Sequence, residues 1–270
     1  VTGAPRPLIT LLTDFGTRDA YVGSLKGVIL SLNPEVRLVD LSHEVDPQDV
    51  RAGAFMLAEA ADCFPPGTIH LAVVDPGVGS RRRALAARCR GCFWVGPDNG
   101  LFHLIFNRAP DLAMVSLENP GYFRPRVSAT FHGRDIFAPV AAHLSLGVDL
   151  NDFGPRVTDP VSLAFPEPDF GPEGIQGEII SVDRFGNLIS NIPAGAVSSQ
   201  LGERGWRLMA GPLGLEGLAR TYADAAPGEF LALAGSHGFI EIACAMDNAA
   251  HRLQAGVGLA VSIHQAPTPR

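Results

Sequence analysis

The chain has 270 residues, 46% of them hydrophobic and 18% charged, with a formal net charge of −7. That length fits one large domain or two modest ones, with ample apolar material for a packed core. The acidic balance disfavours a nucleic-acid surface, and no apolar run reaches the roughly 18 residues of a membrane-spanning helix.

PLITLLTDFG (residues 7–16) reads as a buried strand and turn, and AYVGSLKGVILSL (20–32) carries apolar residues at helical spacing. VRLVDLS is a second short strand. In DPQDVRAGAFMLAEAADCF, Asp46 before Pro47 is the expected cap of a second helix. TIHLAVVDP shows little polar alternation, as in a strand covered on both faces. ALAARCRGCFWVGPDNG predicts a strand pair closed by a turn, and GLFHLIF is short and apolar. ATFHGRDIFAPVAAHLSLG (129–147) predicts a loop running into a helix that Gly147 stops. Strands alternating with helices imply a largely parallel sheet with helices on both faces. In such a sheet ligands bind beyond the carboxyl ends of the strands, where Asp14, Asp75 and His132 fall.

After Gly154 the composition changes. GPRVTDPVSLAFPEPDFGPEG is rich in proline and glycine and reads as a linker. GEIISVDRFGNLISNIP, WRLMAGPLGL, EFLALAGSHGFIEIACAM and VGLAVSIHQ then have strand character. The expected organisation is an N-terminal α/β domain over 1–154, a linker over 155–176 and a smaller C-terminal β domain over 177–270.

Cys63, Cys89, Cys92 and Cys244 fit reduced thiols better than a disulfide framework. The single C-x-x-C, Cys89 to Cys92, lacks the second pair that a structural zinc needs. With no basic-then-apolar leader at the start, the expectation is a cytoplasmic protein with no membrane or nucleic-acid partner.

Chemistry concentrates at the turns. Asp14 leaves a buried strand at a turn that Gly16 permits, and its carboxylate suits a vicinal diol such as a ribose; a structural cap is the alternative. The tripeptide DFG lacks the other protein-kinase motifs. In VVDPGVGSRRR, Gly77 and Gly79 let backbone approach a ligand, but the Walker pattern is missing. If the segment after the turn is extended, Arg82 faces opposite to Arg81 and Arg83. An inward Arg82 would form an ion pair with Asp75. His132, between Phe131 and Gly133, sits at a similar strand-end position, where Asp75 and His132 can orient a water with Arg82 tuning their charge. Asp98, His103 and Asp135 hint at a metal, but their spacing matches no standard ligand pattern, so no metal is expected. Asp183, Phe185 and Asn187 mark a turn that offers an aromatic face and an amide to an adenine. Ser236 beside glycines suits a carboxylate, and Glu241 is an acceptor for an ammonium.

TDFGTRDAYVGSLKGVI, VVDPGVGSRRRALA, VGPDNGLF, ATFHGRDIFAPVAAHL, VDRFGNLISNI and GSHGFIEIA, in this order, resemble the S-adenosylmethionine hydroxide adenosyltransferases. These S-adenosylmethionine hydrolases are relatives of the fluorinating and chlorinating enzymes that use the same substrate. The resemblance runs from about Leu8 to Ile263. It implies attack of water or hydroxide on C5′ of the ribose, release of L-methionine and adenosine, and no metal or organic cofactor. It further implies a homotrimer, with active sites between the N-domain of one chain and the C-domain of its neighbour. Carried over, the catalytic set falls on Asp75, Arg82 and His132. Asp14 would bind the ribose hydroxyls, with Phe131 alongside the substrate. Asp183 would meet the methionine ammonium, Phe185 and Asn187 the adenine, and Ser236 the methionine carboxylate. Glu241 and Asn248 match positions near the substrate, and Tyr222 is an aromatic wall. The halogenating relatives carry an aromatic residue in place of Asp75 and TFYS in place of residues 130–133. Asp75 would repel a halide and Gly133 offers no hydroxyl, which favours water as nucleophile. Two other classes stand beside this reading: a non-catalytic adenosine or S-adenosylmethionine binding protein, and a metal-dependent phosphohydrolase.

Overall fold

The structure is a computed structural model that describes residues 6–107, 109–201 and 205–265. It divides into two compact units, the first running to Ala164 and the second starting at Phe165.

The first unit opens with β1 (Leu8–Thr13), α1 (Tyr21–Leu32), β2 (Arg37–Ser42), α2 (Val50–Ala61) and β3 (Ile69–Val73). It continues with β4 (Ala84–Cys89), β5 (Cys92–Pro97), α3 (His103–Phe106), β6 (Ala113–Ser116), α4 (Ala138–Ser145) and β7 (Arg156–Val157). One seven-stranded sheet takes the order β2-β1-β3-β5-β4-β6-β7. The pairings β1–β2, β1–β3 and β3–β5 are parallel, whereas β4, β6 and β7 join antiparallel. The sheet is thus mixed rather than parallel throughout, because the Arg90-Gly91 turn folds β4 straight back onto β5. A two-residue hairpin can join only antiparallel strands.

Alternation within β1 explains the two faces. Ile9 and Leu11 point into a core shared with Leu25 and Ile29 of α1 and with Val140, Ala141 and Leu144 of α4. Thr10 faces the other way, and its hydroxyl lies 2.8 Å from Nδ1 of buried His70, which stacks on Trp94 at 4.4 Å. Helix α2 is capped by Asp49, whose carboxylate accepts the Ala52 N–H at 2.8 Å, and not by Asp46 as the Asp-Pro pair led us to expect. Gln48 takes a positive φ of 68°, so the helix starts three residues later than the proline position implies.

The second unit contains β8 (Asp169–Gly171), β9 (Gly174–Val182), β10 (Leu188–Pro193), α5 (Ala194–Leu201), β11 (Trp206–Ala210), β12 (Leu213–Glu216), β13 (Phe230–Ala234), β14 (Phe239–Cys244), α6 (Ala249–Leu253) and β15 (Ala260–Gln265). The main path of its antiparallel sheet is β12-β11-β15-β9-β10-β14-β13, and β8 pairs with β9. Its core gathers Ile175, Ile179, Leu188, Ile192, Leu208, Ile240, Ile242 and Ile263. The proline-rich segment expected as a linker contributes β7 to the first sheet and β8 to the second.

Candidate active site

β3 ends at Val73, and the chain turns through Asp75-Pro76-Gly77 before β4. Two glycines shape this loop. A Cβ on Gly77 would meet the Arg82 side chain at 3.3 Å, so the missing side chain leaves room for the arginine stem. Gly79 has φ +76°, and a Cβ there would lie 2.3 Å from the Ala129 carbonyl oxygen. Only glycine lets this loop rest on the segment that leads to His132.

The three arginines take different surroundings, and Arg83 is half-buried. Arg81 is exposed, while Arg82 turns inward. Its Nε donates to Asp75 Oδ1 at 2.9 Å and Oδ2 at 3.1 Å, and its Nη2 donates both to Asp75 Oδ2 and, at 2.9 Å, to His132 Nδ1. The guanidinium also lies 5.3 Å from the centroid of the Phe137 ring. Asp75 and Arg82 are nearly buried, with side chains 5% and 10% exposed. Because guanidinium is a donor only, His132 Nδ1 must be unprotonated and its hydrogen sits on Nε2. Burial and the Arg82 charge hold the imidazole below the ordinary histidine pKa. One cation therefore joins a carboxylate and a neutral imidazole, leaving an Nε2–H to donate.

His132 is placed by an unexpected local structure. Gly133–Phe137 forms a π-helical turn that runs directly into α4, the kind of wide turn frequent at functional sites. Gly133 is tightly packed: a Cβ would meet the Phe15 ring at 3.2 Å and Phe131 at 3.5 Å. Phe131 contacts Phe15 and Tyr21 edge-on, with centroids at 5.7 and 5.2 Å. Asp14 sits half-buried beside this cluster in sequence, and its Oδ2 accepts the Gln48 N–H at 2.8 Å. The Asp14 turn is pinned by Gly16, whose N–H donates to the His43 carbonyl at 2.7 Å.

The residues considered for a metal do not converge. Asp98 accepts from Arg83 Nε and from the Val161 N–H, both at 2.8 Å. Arg83 also pairs with Asp159 at 2.7 Å. Asp135 is fully buried; burial opposes its ionisation, but Arg134, the Ser128 N–H and Arg124 outweigh it and hold the carboxyl below the usual range. His103 Nδ1 lies 3.4 Å from Ser162 Oγ. Among the described residues no group of three or more His, Cys, Asp or Glu is arranged to hold a metal ion.

The second unit gathers the other expected residues. Asp183 Oδ1 accepts the N–H groups of Phe185 and Asn187 at 2.9 and 2.8 Å, and Oδ2 accepts from Asn187 Nδ2 at 2.8 Å. This turn presents Phe185 with 76% of its surface exposed, whereas Asn187 is buried. Asn248 caps α6 by accepting the His251 N–H at 2.7 Å, and its side chain covers Gly186, where a Cβ would collide with it. The turn and the cap therefore support each other. Ser236 is exposed in the turn between β13 and β14. Buried Glu241 accepts from Tyr222 Oη at 2.7 Å and from His237 Nε2 at 3.1 Å. Burial and the neighbouring carboxylate push the Tyr222 phenol up to about 12, so it remains a donor. His237 was missed in the sequence; the signal was its place four residues before Glu241, across a turn that returns the chain along β14.

Known proteins share this architecture and order of motifs. Residues 9–154 match the N-terminal domain of the SAM hydroxide adenosyltransferases, and residues 177–262 match their C-terminal domain. An (R)-S-adenosyl-L-methionine hydrolase of Salinispora tropica is 42% identical over 89% of this chain and 91% of its own length. One from Thermus thermophilus is 39% identical over 94% and 98%. A fluorinase of Nocardia brasiliensis is 27% identical over 97% and 99%. A crystal structure of a conserved Thermotoga maritima protein superposes with a TM-score of 0.90 at 35% identity, covering 95% of this chain and all of the other. The chain belongs to the SAM hydroxide adenosyltransferase family.

Proposed function

We propose that the protein hydrolyses S-adenosyl-L-methionine: water or hydroxide attacks C5′ of the ribose, the C5′–S bond breaks, and adenosine, L-methionine and a proton result. Family membership and the hydrolase relatives support the reaction. The observation that carries the mechanism is the Arg82 guanidinium shared between Asp75 and His132. A sulfonium is already a good leaving group, so the protein's task is to align a nucleophile opposite the C5′–S bond. In our reading His132 Nε2–H donates to the water oxygen and holds it. Asp75, whose oxygens have lone pairs beyond those taken by Arg82, accepts a water proton. Arg82 keeps the imidazole neutral and the carboxylate aimed.

Asp14 binds the ribose hydroxyls through the oxygen not engaged by Gln48, with Phe131 behind the sugar. Phe185 stacks on adenine, with Asn187 and Asn248 supporting that turn. Asp183 and Glu241 face the ammonium, Tyr222 forms a wall, and Ser236 meets the carboxylate. The exposure of Phe185 and the burial of Glu241 support these roles. The substrate is the (R)-sulfonium epimer, as in the relatives' names. No cofactor takes part in this reading.

The same reading takes 1–154 and 177–270 as the functional domains joined by 155–176, a division supported by the matched family ranges. It makes the protein a homotrimer, each site combining the N-domain of one copy with the C-domain of the next; the split of site residues over both units supports this. It places the protein in the cytoplasm. Cys63, Cys89, Cys92 and Cys244 are all free thiols, and no described helix is long and apolar enough to cross a membrane. Incubation of the purified protein with S-adenosylmethionine in ¹⁸O-water tests the reaction. The expected product is adenosine labelled at the 5′ oxygen. Absence of adenosine, or activity that vanishes with a chelator, overturns the proposal.

A further inference from the structure

We infer that His237 is a positioning residue that aims the Glu241 carboxylate at the ammonium of the substrate's amino-acid moiety. This deepens the hydrolase reading and rests on it.

Glu241 lies on β14 and is only 3% exposed. Both of its oxygens are engaged, Oε1 by the Tyr222 hydroxyl and Oε2 by His237 Nε2. Among the described residues no lysine or arginine forms an ion pair with it. The proton on His237 is fixed by the backbone: Nδ1 accepts the Phe239 N–H at 3.2 Å, so the ring hydrogen sits on Nε2, facing Glu241. The result is a buried, ionised carboxylate held by two neutral donors, and burying such a charge is costly unless it is paired. A ligand cation completes the arrangement.

The location fits an ammonium. Glu241 is paired across the sheet with Ile189 of β10, the strand that follows the Asp183–Asn187 turn. Asp183 is held in that turn by the N–H groups of Phe185 and Asn187. An ammonium has three N–H groups to donate to a carboxylate. The fit around the imidazole is close, since a Cβ on Gly235 would fall 2.3 Å from the His237 ring and 2.8 Å from Glu241 Oε2.

The test exploits the two ring nitrogens separately. Gln reaches about as far as Nε2 and can donate to Glu241. Asn is too short for that and places its amide only near the Nδ1 position. We expect H237N and H237A to raise the KM for S-adenosylmethionine about tenfold, the scale of one lost hydrogen bond to a charged group, with kcat little changed. H237Q should stay within about threefold of the wild type. For a sulfonium analogue lacking the α-amino group, wild type and all three variants should share one KM. Should H237A fail to fold, H237N carries the same expectation. Equal losses in H237N and H237Q, or an equal loss on both substrates, overturn the positioning role while leaving hydrolysis intact. A wild type that releases no adenosine overturns the parent reading, and this inference with it.

Discussion

Two carboxylate–imidazole pairs, one in each unit, differ in their third partner. In the first, a guanidinium lies between Asp75 and His132 and supplies a full positive charge. In the second, a phenol and an imidazole both donate to Glu241, and neither brings a charge while neutral. The first set is electrically balanced and can accommodate a neutral nucleophile. The second retains a negative charge and calls for a cation. The same two functional groups, a carboxylate and an imidazole, thus reach opposite electrostatic ends, decided by whether an arginine or a tyrosine completes the set.

Breaking the balanced set should have the largest effect. Asp75→Asn removes the proton acceptor but keeps the shape, and kcat should fall by about 10²–10⁴-fold with KM nearly unchanged; steady-state adenosine release measures it. Wild-type turnover would remove Asp75 from the chemistry.

A core histidine with no charged partner provides the contrast for both sets. Burial brings His70 down to about 4. Its folded pKa lies below the unfolded value, so the unfolded chain binds more protons between about pH 6.5 and 4. Stability of the first unit should be complete above that window and decline through it as pH falls, by up to about 3 kcal/mol. Urea unfolding followed at Trp94 across the window, with His70→Leu as the flat control, checks the slope.

Glu241→Gln sharpens the contrast from the other side. Removing the uncompensated charge should raise KM about tenfold or more, with kcat largely retained. A parallel fall in kcat would mean that Glu241 acts in the chemical step.

The smallest expected effect concerns pH. His132 must be neutral to accept from Arg82, and its pKa is already lowered. The ratio kcat/KM should therefore reach its plateau by neutral pH and decline in acid, with an apparent pKa below 6.5. A decline centred above 7 would contradict the assigned tautomer.

Much of this was legible in the chain because it depends on short-range rules. Residue alternation after the turn put Arg82 opposite Arg81, and the apolar run of β3 marked a strand buried on both faces. The ordered motifs located every residue of the balanced set. What escaped notice depends on geometry beyond local pattern. The π-helical turn at Gly133–Phe137 has no propensity signature, since its spacing differs from an α-helix by one hydrogen-bond step. The role of His237 requires β14 to return beside its own turn. Asp98 and Arg83 looked like site residues or surface charges, but they brace residues 159–161.

The wide turn beneath His132 also limits how this gene segment can change in length. Each α-helical residue advances the backbone by about 100°. Deleting one position between Gly133 and Phe137 would relax the turn to α geometry and rotate the imidazole away from the guanidinium, while α4 kept its seat on the sheet. Such a deletion should leave a folded protein that melts normally but no longer turns over substrate, a failure of aim rather than of assembly.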